Sequence, residues 1–140
     1  MITYVDTSTF VKVVIRESGW EKAREIWNRA NAVASTLLIT VEAHAALAAA
    51  RRARRLSPMQ YERATSDLDD RLDDMTLLEV GHHLVERAAE LAVGFGLRGY
   101  DAVHLASAEL VGADLFTSAD ATLCDAARRL GFHVANPMDG

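Results

Sequence analysis

The chain has 140 residues, half of them hydrophobic and a quarter charged, with a formal net charge of −5. That length suits one domain spanning residues 1–140 with a core of its own, and it is too short for two. No stretch approaches the roughly 20 uninterrupted apolar residues of a membrane helix, the lone Cys124 excludes an internal disulfide or a cysteine-rich zinc site, and the acidic balance weighs against a tight, nonspecific binder of polyanions.

Met1 to Val5 carries no basic residue ahead of its apolar run and meets Asp6 at once, unlike a secretory leader. The expectation is a soluble cytoplasmic protein without membrane contact. Ile2 to Asp6 reads as a compact buried strand. Ser8 to Ile15 is a short helix broken by Ser18-Gly19, and Trp20 to Asn31 is a second, with Trp20, Ala23 and Trp27 on one face. Val33 to Ser35 is a short strand. Leu38 to Arg55 is a long, alanine-rich helix. Ser57-Pro58-Met59-Gln60 carries the serine cap, first-position proline and reciprocal glutamine of a helix start, and that helix runs to about Leu72. Thr76 to Val80 is a strand, and His82 to Phe95 an amphipathic helix. Asp101 to Val111 is a helix, Leu115 to Thr117 a strand, Ala121 to Leu130 a helix closed by Gly131, and Phe132 to Ala135 a last strand.

Short strands alternating with helices specify an α/β fold, a three-layer sandwich with a short central parallel sheet flanked by helices. Ligands of such sheets bind beyond the carboxyl ends of the strands. Four acids fall there: Asp6 at the end of the first strand, Asp120 just past Leu115 to Thr117, Asp101 opening its helix, and Glu42 in the first turn of the long helix. Clustered carboxylates repel one another, and a cation relieves that repulsion. Drawing four acids into such a site leaves the rest of the protein close to neutral, so the net charge does not exclude a nucleic-acid substrate. An all-oxygen donor set suits Mg²⁺ or Mn²⁺ rather than zinc. A phosphodiester is the natural substrate, because the metal supplies hydroxide from water and stabilises the leaving oxygen without a nucleophilic side chain.

Asp6-Thr7-Ser8, Thr40-Val41-Glu42, Arg98-Gly99-Tyr100-Asp101-Ala102-Val103-His104-Leu105-Ala106 and Leu115-Phe116-Thr117-Ser118-Ala119-Asp120 resemble, in this order, the motifs of PIN-domain ribonucleases. Within that family they look most like the VapC-type toxins of bacterial toxin–antitoxin pairs. The closing Ala126-Ala127-Arg128-Arg129-Leu130-Gly131-Phe132, followed by Pro137, matches as well. The resemblance implies Mg²⁺- or Mn²⁺-dependent RNA cleavage, homodimerisation and inhibition by a cognate antitoxin. Asp6, Glu42, Asp101 and Asp120 fall on the family's acidic positions. Ser8 and Ser118 fall on its hydroxyl positions, which orient the acids; Ser118 stands where threonine is commoner. The antitoxin is expected to lay an arginine among the acids and to cover apolar surface between Trp20 and the end of the long helix at Arg55.

Two other functions fit some of the pattern. One is a phosphatase with Asp6 as nucleophile, although Ser8 stands where such enzymes carry a second aspartate. The other is a PIN-like module that binds RNA or protein without catalysis. His104, one turn after Asp101, reads as a packed histidine rather than a catalytic one. RNA contact, antitoxin contact and solubility stand equally open for the run Arg51 to Arg55. Trp20 and Trp27 belong to the core or a dimer interface. Asp67, Asp69, Asp70, Asp73 and Asp74 form a solvated helix face without the glycine and glutamate of a calcium loop. Cys124 is buried and inert.

Overall fold

The computed structural model describes residues 1–140 and holds five strands: β1 (Ile2–Val5), β2 (Ala32–Thr36), β3 (Thr76–Leu78), β4 (Leu115–Thr117) and β5 (His133–Ala135). They form one wholly parallel sheet of order β3-β2-β1-β4-β5. The chain leaves the central β1 toward β2 and β3, then returns to add β4 and β5 on the other side. The reversal falls between β1 and β4, where a parallel sheet opens a crevice at its carboxyl edge.

Seven helices cover the two faces: α1 (Thr7–Val14), α2 (Trp20–Arg29), α3 (Ile39–Arg52), α4 (Pro58–Asp73), α5 (His82–Phe95), α6 (Gly99–Val111) and α7 (Ala121–Arg129). Successive strand residues point to opposite faces, and the core divides accordingly. Val5 and Val33 pack with Phe10, Leu47 and Leu68 from α1, α3 and α4. Tyr4, Ala34 and Phe116, one residue out of step, pack with Leu84, Leu105 and Leu123 from α5, α6 and α7. The Phe116 ring stacks on Tyr4 at 5.5 Å and meets Phe132 at 6.0 Å. The expected α/β sandwich is the observed architecture.

The helices start and stop for local reasons. Ser57 accepts the Gln60 N–H at 3.1 Å while Gln60 accepts the Ser57 N–H at 2.8 Å, closing the capping box at the head of α4. That helix buries Ala64, Leu68 and Leu72, spaced four apart, on the α3 side. α3 is shorter than its alanine-rich sequence suggests: Arg54 takes a left-handed φ of 60°, and the Arg55 N–H returns to the Ala50 carbonyl at 2.9 Å. The helix therefore ends at Arg52, and Arg54 and Arg55 belong to the turn beyond it. β3 stops at Leu78 rather than Val80, because β2 ends opposite it at Thr36 and the next bond, from the Leu37 N–H to the Leu78 carbonyl, closes the ladder. α6 begins at Gly99, two residues before the expected Asp101. α2 ends at Arg29, short of Asn31, where β2 is already drawn in beside β1.

Both tryptophans serve packing within the chain. Trp27 stacks on Phe10 at 5.6 Å under the Arg71 guanidinium, and Trp20 carries the guanidinium groups of Arg16 and Arg24 at 4.8 and 5.1 Å. Phe116 touches both neighbouring aromatic rings and is fully buried. Phe116→Ala is expected to lower the free energy of unfolding by about 3–5 kcal/mol in urea titrations. Val93→Ala, on the solvent side of α5, should stay within about 0.5 kcal/mol of the parent; similar losses in both variants would show that the stacked rings carry no special share of the core.

Candidate active site

Strand β1 ends at Val5, and the next residue caps a helix. Asp6 accepts the Thr9 N–H at 3.0 Å as the N-cap of α1. Asp120 caps α7 in the same way, just beyond the Ser118 that follows β4, its Oδ1 accepting the Thr122 and Leu123 N–H groups at 2.9 and 3.3 Å. Glu42 lies in the first turn of α3 and Asp101 in the first turn of α6. Four helix starts therefore bring four acids to one edge of the sheet, and the partial positive charge of each helix start favours a carboxylate there. All four line one cleft of about 480 Å³, together with Thr7, Ser8, Arg98 and His104.

Asp6 is buried and clamped. Ser8 Oγ donates to its Oδ1 at 2.7 Å and Ser118 Oγ donates to its Oδ2 at 2.6 Å. Each serine oxygen in turn accepts a backbone N–H: Ser8 that of Ala119 at 2.9 Å, Ser118 that of Asp120 at 3.0 Å. The two hydroxyls thus tie the β4–α7 turn to the end of β1. Burial pushes the Asp6 carboxyl above the usual range, against the opposing pull of His104, Ser118, Thr9 and Ser8.

Glu42 responds the other way. Its Oε1 accepts from Thr7 Oγ1 at 2.9 Å and from His104 Nε2 at 3.0 Å. The proton on that imidazole nitrogen follows from the network behind it. Tyr4 Oη accepts the Thr36 N–H at 3.1 Å, which leaves its own proton for His104 Nδ1 at 2.9 Å and puts the imidazole proton on Nε2. Burial works against the charged form of Glu42, yet the His104 bond, the attraction of the imidazole whenever it is protonated, and the Thr7 bond outweigh it and hold the carboxyl below its ordinary range.

The expected packed histidine is found, 2% exposed, and it also fixes Glu42. Sequence reasoning missed that coupling, along with Thr7 and Arg98. Arg98 Nε donates to Asp101 Oδ2 at 3.0 Å, and its Nη2 lies 3.5 Å from Asp120 Oδ2. Its position three residues ahead of Asp101 at a helix start was the available signal, since such pairs meet on a helix surface. Nothing in the periodicity brings Thr7 to Glu42, because α1 and α3 are joined only through the tertiary fold.

The donor set fits an oxygen-ligated divalent cation. A carboxylate offers about four lone-pair sites, and each of the four acids has one oxygen anchored or shielded and another with capacity left. Asp6 Oδ2 accepts only from Ser118, Glu42 Oε2 and Asp101 Oδ1 accept no protein hydrogen bond, and Asp120 Oδ2 has only the long Arg98 contact. As the side chains stand, no three of the chain's acidic, histidine or cysteine groups converge as the shell of a single ion. The cation actually paired with Asp101 and Asp120 is the Arg98 guanidinium.

A neighbouring cleft of about 410 Å³ shares Ile15 and Arg55 with the acidic one and is lined by Arg16, Arg24, Arg55 and Arg63. The surface around Trp20, expected to be apolar, is thus basic, because the arginines lie over its ring. Arg55 faces Glu17 at 3.6 Å. Asp67 and Asp69 pair with Arg71 and His44, both at 2.9 Å, as a solvated face does. The Cys124 thiol is buried, donates to the Ser118 carbonyl at 3.2 Å, and is pushed up to about 11 by burial, which leaves it unreactive.

The sequence profile of the PIN domain matches residues 3–129. Ribonuclease VapC45 of Mycobacterium tuberculosis is 38% identical over 111 residues, 79% of this chain and 77% of that one. Ribonuclease VapC46 of the same species is 33% identical over 140 aligned residues, 96% of each chain. Among solved structures, a chain of a toxin–antitoxin complex from Klebsiella pneumoniae superposes with a TM-score of 0.64 at 21% identity, covering 96% of this chain and 97% of that one.

The two coupled acids should have opposite signatures in chelator. Asp6 has its folded pKa raised, so the metal-free protein loses stability as pH rises from the ordinary carboxylate range through that folded value. Glu42 has its folded pKa lowered, so the stability it contributes is present above the ordinary range and lost as pH falls through the folded value. Unfolding followed in EDTA from pH 3 to 7 should find Asp6→Asn at least as stable as the parent at neutrality, with the gain gone in acid. Glu42→Gln should be the less stable at neutrality, with its deficit shrinking in acid. A large loss for Asp6→Asn at pH 7 would mark that acid as structural.

Proposed function

This chain belongs to the PIN domain family, and on that footing we propose that it is the toxic component of a toxin–antitoxin pair, a Mg²⁺- or Mn²⁺-dependent endoribonuclease. The observation that carries this reading is that Asp6, Glu42, Asp101 and Asp120 line one cleft at the carboxyl edge of the sheet, each with a carboxylate oxygen that has acceptor capacity left. The relatives at 38% and 33% identity, both called ribonucleases, support it.

Asp6, Glu42, Asp101 and Asp120 would hold the cation, which when bound makes a water acidic enough to attack a phosphodiester near neutrality and stabilises charge on the leaving oxygen. The remaining roles belong to the chain. Ser8 and Ser118 hold both oxygens of Asp6 in one orientation. Thr7 and His104 keep Glu42 ionised with its Oε2 free. The buried charge of Asp6, disfavoured alone, becomes favourable beside a positive partner. Covalent catalysis has no support: of the two hydroxyls beside His104, that of Tyr4 is fully buried, and that of Thr7, at 3.3 Å from Nε2, already gives its proton to Glu42.

The partner we propose is a cognate antitoxin that covers this cleft, in keeping with the fold shared with the Klebsiella chain. An arginine of the antitoxin entering the acids would oppose metal, so raising Mg²⁺ at constant ionic strength should weaken the complex in calorimetric titrations. An affinity indifferent to Mg²⁺ would put the inhibitory contact elsewhere. Homodimerisation belongs to the same reading and is checked by sedimentation.

RNA cleavage should require Mg²⁺ or Mn²⁺, stop in EDTA and proceed poorly with Ca²⁺, which polarises water less. Asp101→Asn should abolish it, and Ser118→Ala should lower it roughly 10–100-fold by releasing Asp6. Full cleavage in EDTA would defeat the mechanism. Binding of RNA without products at saturating Mn²⁺ would leave a non-catalytic module, and an acylphosphate on Asp6 would point to the phosphatase.

A further inference from the structure

Arg98 stands at the N-cap of α6 but makes no side-chain capping bond there. Its side chain crosses to two acids from different helices, Asp101 of α6 and Asp120 of α7, and bonds the Oδ2 atom of each. The other cations lining the cleft, Lys12 and Arg55, are both engaged with Glu17. Arg98 is thus the only arginine or lysine paired with the four carboxylates, and at Asp120 it holds the oxygen that the helix cap leaves open. The arginine side chain is 82% exposed. It also lines a second groove of about 630 Å³, beside Val85, Ala92, Tyr100 and Val103, with Glu42 and Asp101 at its acidic side, so the guanidinium has open space to swing into without leaving the neighbourhood of the cleft.

We propose that Arg98 is a displaceable resident counter-ion: it neutralises Asp101 and Asp120 in the metal-free protein, yields them to the divalent cation, and then contacts a phosphate of the bound RNA. The proposal rests on the reading of this cleft as a metal-dependent ribonuclease site. Exposed ion pairs are weak in water, so the contacts that hold the guanidinium are easily exchanged. A divalent ion within a few ångströms of it repels it about twice as strongly as a single charge would. At Asp120 the guanidinium and an ion would compete for Oδ2, since Oδ1 serves the cap of α7, and the guanidinium keeps its charge wherever it goes. The nearest anion of matching geometry, once RNA is bound, is a phosphate, which accepts the planar fork of an arginine in paired bonds.

Mn²⁺ binding without RNA, read by the paramagnetic resonance of free Mn²⁺, tests the counter-ion role. Arg98→Ala should bind Mn²⁺ roughly tenfold more tightly than the parent. Arg98→Lys, which keeps the charge, should fall between, and Asp101→Asn should bind weakly. The phosphate contact is read with a fluorescein-labelled pool of single-stranded RNA in Ca²⁺, where cleavage is slow. Arg98→Ala should bind it about fivefold more weakly, with a dependence of log affinity on log salt shallower by about 0.7, the mark of one lost phosphate contact. An Arg98→Ala protein with parental Mn²⁺ affinity, while Asp101→Asn loses it, would overturn the counter-ion role and leave the metal reading standing. An unchanged salt slope would overturn the phosphate contact. Equal Mn²⁺ retention by the parent and Asp101→Asn would overturn the metal reading and this proposal together.

Discussion

A carboxylate buried at the end of the middle strand is the constraint around which the rest of the site is arranged. Asp6 cannot be solvated by water where it lies, so its charge is carried by two serine hydroxyls, a backbone N–H and the start of α1. Those serines are placed by the pairing of β1 with β4, which sets Val5 beside Thr117 and brings Ser118 to the next position along the edge. The order of the strands is therefore also the order of the chemistry. A slip of one residue in that pairing would turn Phe116 out of one core and remove Ser118 from Asp6 at the same time.

Asp6 and Glu42 show how one cleft can hold two carboxylates in opposite electrostatic conditions. Both are partly or wholly shielded from solvent, and burial disfavours the charge of each. Hydroxyl and backbone donors soften the penalty on Asp6 without cancelling it, whereas the imidazole and Thr7 reverse it for Glu42. One acid gains from a cation and the other is ready without one. Arg98 adds a third condition at the mouth, where Asp101 and Asp120 share an exposed and exchangeable partner.

Much of this was legible from local signals. Asp6 and Asp120 follow strands closely and cap helices, and Ser57, Pro58 and Gln60 spell out a helix start whose two bonds are both made. The alternation of Tyr4 and Val5 between two cores follows from strand geometry alone. What was not legible depended on distance or on a conformation without a sequence mark. His104 and Glu42 meet across 62 residues, and no period links them. The left-handed Arg54 ends α3 inside a stretch of good helix formers, and arginine carries no turn signature. Arg24 over Trp20 is an ordinary pair four apart on α2, but Arg16 reaches the same ring from the loop before that helix, where no helical period places it.

Tyr4 answers to two masters. Its ring is a structural filler between Phe116 and the helices beyond, a job that phenylalanine would do with equal volume. Its oxygen is the junction through which the Thr36 N–H, at the rim of the sheet, sets the protonated face of His104 and so the posture of Glu42. A phenylalanine there would leave His104 Nδ1 without its donor and free the ring proton to change nitrogens. The interior of this protein is in that sense continuous with its surface chemistry, and a conservative change in the core is not conservative for the cleft.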